Sequence, residues 1–196
     1  PVCNQIVAIL LTFFSSQVME ALPTKKIVEL AKVRGVPSGA VGFVALSKKP
    51  EMMVWGQNTA GEKVDEHTLF SVQSISKLFT TIGVLQAVQD GVVNLDTSVS
   101  TYLPELVISN CNKKSYPTLR MLLSHAGGLP FDATVGNNFS ADGSFEEHMK
   151  SILSGVVLQF SPGTQKSYSN VGIDLAGYIV ARLSKKSFPD YMNSKV

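Results

Sequence analysis

The sequence predicts an α+β fold with two layers, in which a β-hairpin near the N-terminus precedes a mainly helical region. Apolar and β-branched segments with strand character lie before residue 57, whereas apolar residues at helical spacing dominate after residue 73. The composition agrees, because 44% of the 196 residues are hydrophobic and 16% are charged. Such a chain has enough apolar surface to form a core, which excludes a disordered tail or linker.

Charge and cysteine content exclude further classes. The net charge is only +2, and no basic run exceeds two residues, so we expect no nucleic-acid partner. Cys3 and Cys111 are too few for a disulfide framework or a zinc site. We expect neither a metal nor another cofactor.

The N-terminal segment contains an apolar run from Ile6 to Phe14 that only Thr12 interrupts. It is too short for a membrane span, which needs about 20 residues, but its length suits the apolar core of a signal peptide. No basic residue precedes it, so a buried intracellular segment and a membrane anchor remain as alternatives. We expect a leader at residues 1–22, a partial globular domain at 23–196, and a secreted or extracellular location.

The front of the domain is predicted to contain one helix and the hairpin. Thr24 is expected to cap a helix that ends at Arg34, because Gly35 and Pro37 stop it. Ser38–Leu46 is small, apolar and β-branched, which favours a buried strand. A Lys-Lys-Pro turn follows, and the second strand is expected to begin with Met52–Trp55 and to end at Gly56.

The longest helical pattern runs over 74–89 and is apolar on nearly every face, which predicts a helix in the middle of a domain. Asp90 and Gly91 end it. We expect three further helices: a short one over 119–125, an amphipathic one over 145–153, and one that Asn170 caps and that reaches Leu183.

Ser74 and Lys77 form an S-x-x-K arrangement at the start of that central helix. Residues three apart share a helix face, so the hydroxyl and the amine come within hydrogen-bonding reach. A serine hydroxyl becomes a good nucleophile only when a base takes its proton. The alternative is that Ser74 merely caps the helix and Lys77 extends into solvent.

A second pattern, Tyr168-Ser169-Asn170, supplies a phenol for proton transfer and an amide for substrate contact. The same Y-x-N spacing recurs at Tyr191-Met192-Asn193. Tyr168 follows a Pro-Gly turn and opens a helix, which predicts a position facing a cleft. Tyr191 is expected to pack against the surface near the chain end.

Five blocks in order make the chain resemble the serine β-lactamase and penicillin-binding-protein superfamily, particularly its class C branch. Together they span nearly all of the chain after the N-terminal run. They are GVPSGAVGFVAL at 35–46, TLFSVQSISKLFT at 68–80, DGVVNLDTSVSTYLPEL at 90–106, LLSHAGGLP at 122–130 and FSPGTQKSYSNVGIDLAGYIV at 160–180.

The resemblance implies a serine hydrolase that forms an acyl-enzyme on Ser74, with the Ser74 N–H as one oxyanion donor. It implies that Lys77 activates this serine, that Tyr168 shares proton transfer, and that Asn170 contacts the substrate amide. The expected partner is a small-molecule amide or ester: a β-lactam, a D-alanyl peptide or a small ester. Whether Lys77 or Tyr168 is the acylation base stays open.

The family's third motif, Lys or His followed by Thr or Ser and then Gly, belongs well after the tyrosine, and residues 169–196 do not contain it. We therefore expect the C-terminal strands of the family fold to be missing. An incomplete fragment, or a pseudoenzyme used for binding, is the alternative to an enzyme.

Three histidines remain to be placed. His125-Ala126-Gly127 mimics the third motif but precedes Tyr168, so we expect His125 to brace a loop. His67 and His148 lie in polar surroundings and are expected to be solvated, without metal partners.

Overall fold

The structure is a computed structural model that describes residues 24–43, 49–133 and 145–196. The apolar run Ile6–Phe14 lies outside the described residues, as does the end of the strand predicted to reach Leu46. The chain divides into two compact units, Pro1–Gln73 and Ser74–Val196, and each is described by itself. Within the described ranges, no helix is long and apolar enough to cross a membrane.

The first unit contains the predicted helix and hairpin. Helix α1 spans Thr24–Val33, and strands β1 (Ser38–Phe43) and β2 (Glu51–Gly56) pair antiparallel. Ser38 faces Gly56 at one end of the pair, and Phe43 faces Glu51 at the other. The hairpin prediction is confirmed, with β2 beginning one residue earlier than the apolar pattern indicated.

Two glycines permit the close approaches of this hairpin. Gly39 lies opposite Trp55, and the indole ring occupies the space that a side chain at Gly39 would fill. Gly56 has a φ of 84°, and a Cβ there would collide with the carbonyl oxygen of Pro37. Both positions therefore require a residue without a side chain.

The second unit is helical, as the sequence predicted. The two long helices are α2 (Ser76–Gln89) and α6 (Asn170–Ser184), and α6 packs against four others. The remaining helices are α3 (Val99–Tyr102), α4 (Leu119–Leu123), α5 (Phe145–Leu153) and α7 (Phe188–Lys195). The core contains side chains from every one of these helices. Its largest fully buried members are Leu103, Leu106, Leu119, Leu122, Leu129, Met149, Ile152, Leu175, Ile179, Val84, Val99 and Val171.

The prediction that α2 is buried on nearly every face is wrong. Its buried residues are small, namely Thr80, Gly83, Val84 and Ala87. Its larger side chains face outward, with Leu78 59% exposed and Phe79 51% exposed. The reason is steric, because the small residues let α6 and α7 approach the α2 backbone closely. Met192 lies so near Gly83 that a Cβ there would be 2.9 Å from its sulfur atom.

Helix α6 is capped by Ser169 and not by Asn170, which corrects the sequence prediction. The Ser169 Oγ accepts a hydrogen bond from the Gly172 N–H at 3.0 Å and donates one to the Pro130 carbonyl at 2.7 Å. Ser169 has the extended backbone that an N-cap requires, whereas Asn170 is already helical. Because Ser169 caps the helix, the Asn170 side chain can form a hydrogen bond with another residue.

Tyr191 is buried and not at the surface, which corrects a second prediction. Its side chain is 3% exposed, and its hydroxyl donates a hydrogen bond to the Gly83 carbonyl at 2.8 Å. Burial raises the pKa of Tyr191. The second Y-x-N pattern is therefore part of the contact between α7 and α2.

Candidate active site

Ser74 and Lys77 lie at the start of the second unit, where a 3-10 turn over Gln73–Ile75 leads into α2. The Lys77 Nζ donates a hydrogen bond to the Ser74 Oγ at 3.3 Å. The predicted contact between residues three apart is confirmed. Ser74 is exposed and Lys77 is half-buried, so the hydroxyl is accessible to a small molecule.

Tyr168 reaches the same hydroxyl from the other side. Its phenol donates a hydrogen bond to the Ser74 Oγ at 2.7 Å, and the Lys77 Nζ lies 5.1 Å from the centre of its ring. The Ser74 oxygen is thus held between a phenol and an ammonium group. The structure brings together all three side chains that the sequence singled out as candidate catalytic residues.

The environment of Tyr168 favours its anionic form more than water does. Partial burial acts to raise the pKa of Tyr168, but its hydrogen bonds with Ser74 and Lys77 and the charge of Lys77 outweigh it. The net effect places the pKa of this phenol below its ordinary value near 10. A phenol with a lowered pKa is a better proton acceptor at moderate pH.

His125 braces the loop that carries Tyr168, as the sequence predicted. Its Nδ1 accepts a hydrogen bond from the Ser169 N–H at 3.2 Å, and its carbonyl accepts one from the Ser167 N–H at 2.9 Å. Its ring stacks on Tyr168 with 4.5 Å between ring centres. Burial and the charge of Lys77 lower the pKa of His125. A neutral ring is the form that can accept the Ser169 hydrogen bond.

Asn170 is held by a segment that the sequence did not mark. Its Nδ2 donates to the Asp132 Oδ1 at 2.7 Å, and its backbone N–H donates to the Phe131 carbonyl at 2.8 Å. Asp132 is separated from Asn170 by 38 positions, and no local spacing indicates such a pairing. The amide at the start of α6 is therefore fixed in orientation.

His148 and Asp174 form a partly buried pair, which corrects the prediction that His148 is solvated. The His148 Nε2 lies 3.2 Å from the Asp174 Oδ2, and their side chains are 18% and 24% exposed. The amphipathic helix α5 turns His148 toward α6 rather than toward water. His67, by contrast, is 84% exposed, as predicted.

These contacts define what the site can do chemically. It presents an accessible hydroxyl whose oxygen accepts hydrogen bonds from a phenol and an amine. Nearby in the chain, the Asn170 amide is held in place by hydrogen bonds. No group of three histidine, cysteine or acidic residues suited to a metal occurs in the described part of the chain. The fold and the site together place the molecule among proteins that carry an S-x-x-K serine beside a Y-x-N tyrosine.

The chain belongs to the Beta-lactamase family, whose model matches residues 24–196. A relative named Beta-lactamase from Yersinia enterocolitica is 32% identical over 169 residues, which are 85% of this chain and 41% of that protein. Protein flp from Staphylococcus aureus (strain NCTC 8325 / PS 47) is 26% identical over 132 residues, which are 67% of this chain and 26% of that protein.

A solved structure with the same fold is the D-amino acid amidase from Ochrobactrum anthropi SV3. Its complex with L-phenylalanine superposes with a TM-score of 0.72 at 25% identity, over 88% of this chain and 49% of that one. Its complex with L-phenylalanine amide gives a TM-score of 0.71 at 26% identity, over 87% of this chain and 47% of that one. The chain thus spans less than half the length of these relatives. The family match and the structural similarity confirm the predicted family and fold class.

Proposed function

We propose that this chain carries the acyl-transfer centre of a serine hydrolase acting on small amides or esters, with Ser74 as the nucleophile. One observation carries the proposal: the Ser74 Oγ lies 2.7 Å from the Tyr168 phenol and 3.3 Å from the Lys77 amine. An accessible hydroxyl within hydrogen-bonding distance of a group that can act as its general base is the arrangement that nucleophilic catalysis requires.

In the acylation step, the Ser74 proton passes to Tyr168 in its phenolate form, or to Lys77 in its neutral amine form, while Oγ attacks the substrate carbonyl carbon. A bond from Oγ to carbon forms, and the bond from carbon to the amine or alcohol breaks. The leaving group takes the proton from the residue that received it. Water then repeats the sequence, so that the bond between Oγ and carbon breaks and a carboxylic acid leaves.

Two further groups hold the substrate in the proposed mechanism. The Ser74 N–H serves as one oxyanion donor, and such a donor contributes about a hundred- to a thousand-fold in rate. The Asn170 amide contacts the substrate amide, and its bond to Asp132 at 2.7 Å fixes its orientation. A preorganised amide loses little entropy when substrate binds.

The proposed substrates are a β-lactam, a D-alanyl peptide or a small ester. Support for an amide comes from the Yersinia relative's name, Beta-lactamase, and from the amidase structure with L-phenylalanine amide. The second candidate is a protein that binds such compounds without turnover. It is favoured by the open site, in which Ser74 and Tyr168 are both exposed to water. A secreted location stays a prediction.

The test is covalent labelling of the chain with a fluorophosphonate and with a fluorescent penicillin, followed by peptide mapping. We expect the label on Ser74, its loss in Ser74→Ala, and its retention in Ser76→Ala, which removes an exposed hydroxyl two residues away. Equal labelling of wild type and Ser74→Ala would overturn the proposal, as would the absence of label.

Turnover distinguishes the two candidates once Ser74 is labelled. Hydrolysis of a chromogenic cephalosporin or a p-nitrophenyl ester, lost in Ser74→Ala, supports the hydrolase. A stable acyl adduct on Ser74 without hydrolysis supports the binding protein and contradicts the hydrolase.

A further inference from the structure

Phe131 is an exposed aromatic residue next to the candidate active site, and the proposed mechanism does not use it. It is 55% exposed, and its ring centre lies 5.8 Å from that of Tyr168, whose hydroxyl contacts Ser74. Its carbonyl oxygen accepts a hydrogen bond from the Asn170 N–H at 2.8 Å, which holds its segment against the start of α6. The ring therefore offers apolar surface to a substrate bound near Ser74.

Asp132, the next residue in the chain, brings a carboxylate to the same region. Its Oδ1 accepts a hydrogen bond from the Asn170 Nδ2 at 2.7 Å, and the residue is partly exposed to water. A carboxylate has two oxygen atoms with about four acceptor positions, so it can hold Asn170 and also accept a hydrogen bond from a ligand. A bond from an ammonium group to a carboxylate is among the strong hydrogen bonds of proteins.

The Asn170 side chain relates this carboxylate to the bound substrate. In the proposed mechanism, the Asn170 amide contacts the substrate amide, and Asp132 lies one hydrogen bond beyond Asn170. A substituent on the carbon atom next to the substrate carbonyl is therefore close to the carboxylate. Lys77 already places a positive charge beside Ser74, so a cationic substituent needs an opposite charge that faces it.

We propose that Phe131 and Asp132 are specificity-determining residues for small amides or esters that carry a free ammonium group and a large apolar side chain next to the carbonyl. The inference rests on the proposed function and narrows its substrate class. Asp132 pairs with the ammonium group, and the Phe131 ring packs against the apolar side chain. The class is that of amino-acid amides and esters whose amine is not blocked.

Binding to the Ser74→Ala chain tests this recognition without turnover. Both enantiomers of phenylalanine amide are compared by calorimetric titration with 3-phenylpropanamide, which has the same ring and amide but no amine. The titration is made at about pH 6.5, below the α-amino pKa of about 7.7–8.0. We expect one enantiomer to bind about ten- to a hundred-fold more tightly than 3-phenylpropanamide, the effect of a hydrogen bond to a charged group. Equal affinities, or no binding of phenylalanine amide, overturn the inference.

A charge-removing variant assigns this preference to Asp132. Asp132→Asn keeps an oxygen atom that accepts the Asn170 hydrogen bond but removes the charge, so we expect the preference for phenylalanine amide over 3-phenylpropanamide to disappear. Asp96→Asn is the matched control, because it removes an exposed carboxylate that pairs with Arg120, and the preference should remain. Damage to the fold alone weakens both ligands and leaves their ratio unchanged, and an unchanged ratio in Asp132→Asn contradicts the inference.

Phe131→Ala tests the apolar contact in the same Ser74→Ala chain. We expect it to weaken phenylalanine amide about tenfold and alanine amide, which lacks the ring, by about twofold or less. Equal losses for the two ligands would show that Phe131 does not contact the substrate side chain.

The two proposals fail separately. The absence of label on Ser74 in wild type contradicts the proposed function, whereas binding to Ser74→Ala still tests recognition by Phe131 and Asp132. If Ser74 is labelled while phenylalanine amide and 3-phenylpropanamide bind equally, the proposed function stands and the inference about its substrate class is wrong.

Discussion

The phenol oxygen of Tyr168 lies 2.7 Å from the Ser74 hydroxyl, although 94 positions separate the two residues in the chain. The contact exists because Ser74 precedes α2, Tyr168 precedes α6, and these two helices pack against each other. One half of the candidate site therefore lies at the N-terminal end of each helix. The site therefore depends on the packing of one helix pair.

The first prediction concerns the proton acceptor. Tyr168→Phe keeps the ring that stacks on His125 but removes the hydroxyl, so we expect Ser74 labelling to slow by about a hundred- to ten-thousand-fold. Tyr178→Phe is the control, because Tyr178 lies on α6 and meets Phe145 edge to face, and this variant should label at the wild-type rate. Equal rates for wild type and Tyr168→Phe would remove Tyr168 from the mechanism.

The second prediction concerns pH and His125. The pKa of this imidazole is lowered in the folded chain, so its contribution to stability is present above its ordinary value of about 6.5. That contribution is lost as pH falls from there through the lowered pKa, because a protonated Nδ1 cannot accept the Ser169 hydrogen bond. Ser74 labelling and the thermal midpoint should both decline on acidification across this range.

The matched variant for this test is His125→Asn. His125 has a φ of 58°, and asparagine tolerates that left-handed backbone better than other residues. Because asparagine does not titrate, we expect the pH dependence below the ordinary histidine pKa of about 6.5 to flatten. If labelling and the thermal midpoint fall just as steeply with acidification in this variant, the titrating group is not His125.

The third prediction concerns the cap of α6. Ser169→Ala removes the acceptor for the Gly172 N–H and the donor to the Pro130 carbonyl, in a side chain that is 3% exposed. We expect a loss of about 2 kcal/mol in unfolding free energy, measured by urea denaturation. Ser187→Ala removes the exposed cap of α7 and should cost less, about 0.5–1 kcal/mol. Equal costs would show that the Pro130 contact contributes nothing.

The fourth prediction contrasts two leucines. Leu175 on α6 is 0% exposed, and Leu175→Ala should lower the unfolding free energy by about 2–5 kcal/mol. Leu78 on α2 is 59% exposed, and Leu78→Ala should change it by no more than about 0.5 kcal/mol. Comparable losses in the two variants would mean that the outward face of α2 is covered in solution.

Local patterns were sufficient for the hairpin and for α1, α2, α4, α5 and α6, but they did not indicate α3 or α7. The amphipathic spacing of α5 gave both of its ends correctly, and the apolar run from Asn170 gave α6 to within one residue of its end. Local patterns were insufficient for caps and burial. Ser169 was not distinguished from Asn170 as the cap, because both are good cap residues and the choice depends on which one adopts an extended backbone.

The sequence by itself determined which residues are candidates for chemistry and which family the chain belongs to. Ser74 and Lys77 meet because three residues make nearly one helical turn, which is a local fact of helix geometry. Only the tertiary structure decided what surrounds them. Three side-chain contacts join residues that are at least 26 positions apart in the chain. They are the contacts of Tyr168 with Ser74, of Asp132 with Asn170 and of His148 with Asp174. Such contacts follow from the packing of α6 against its neighbours, and no spacing along the chain encodes them.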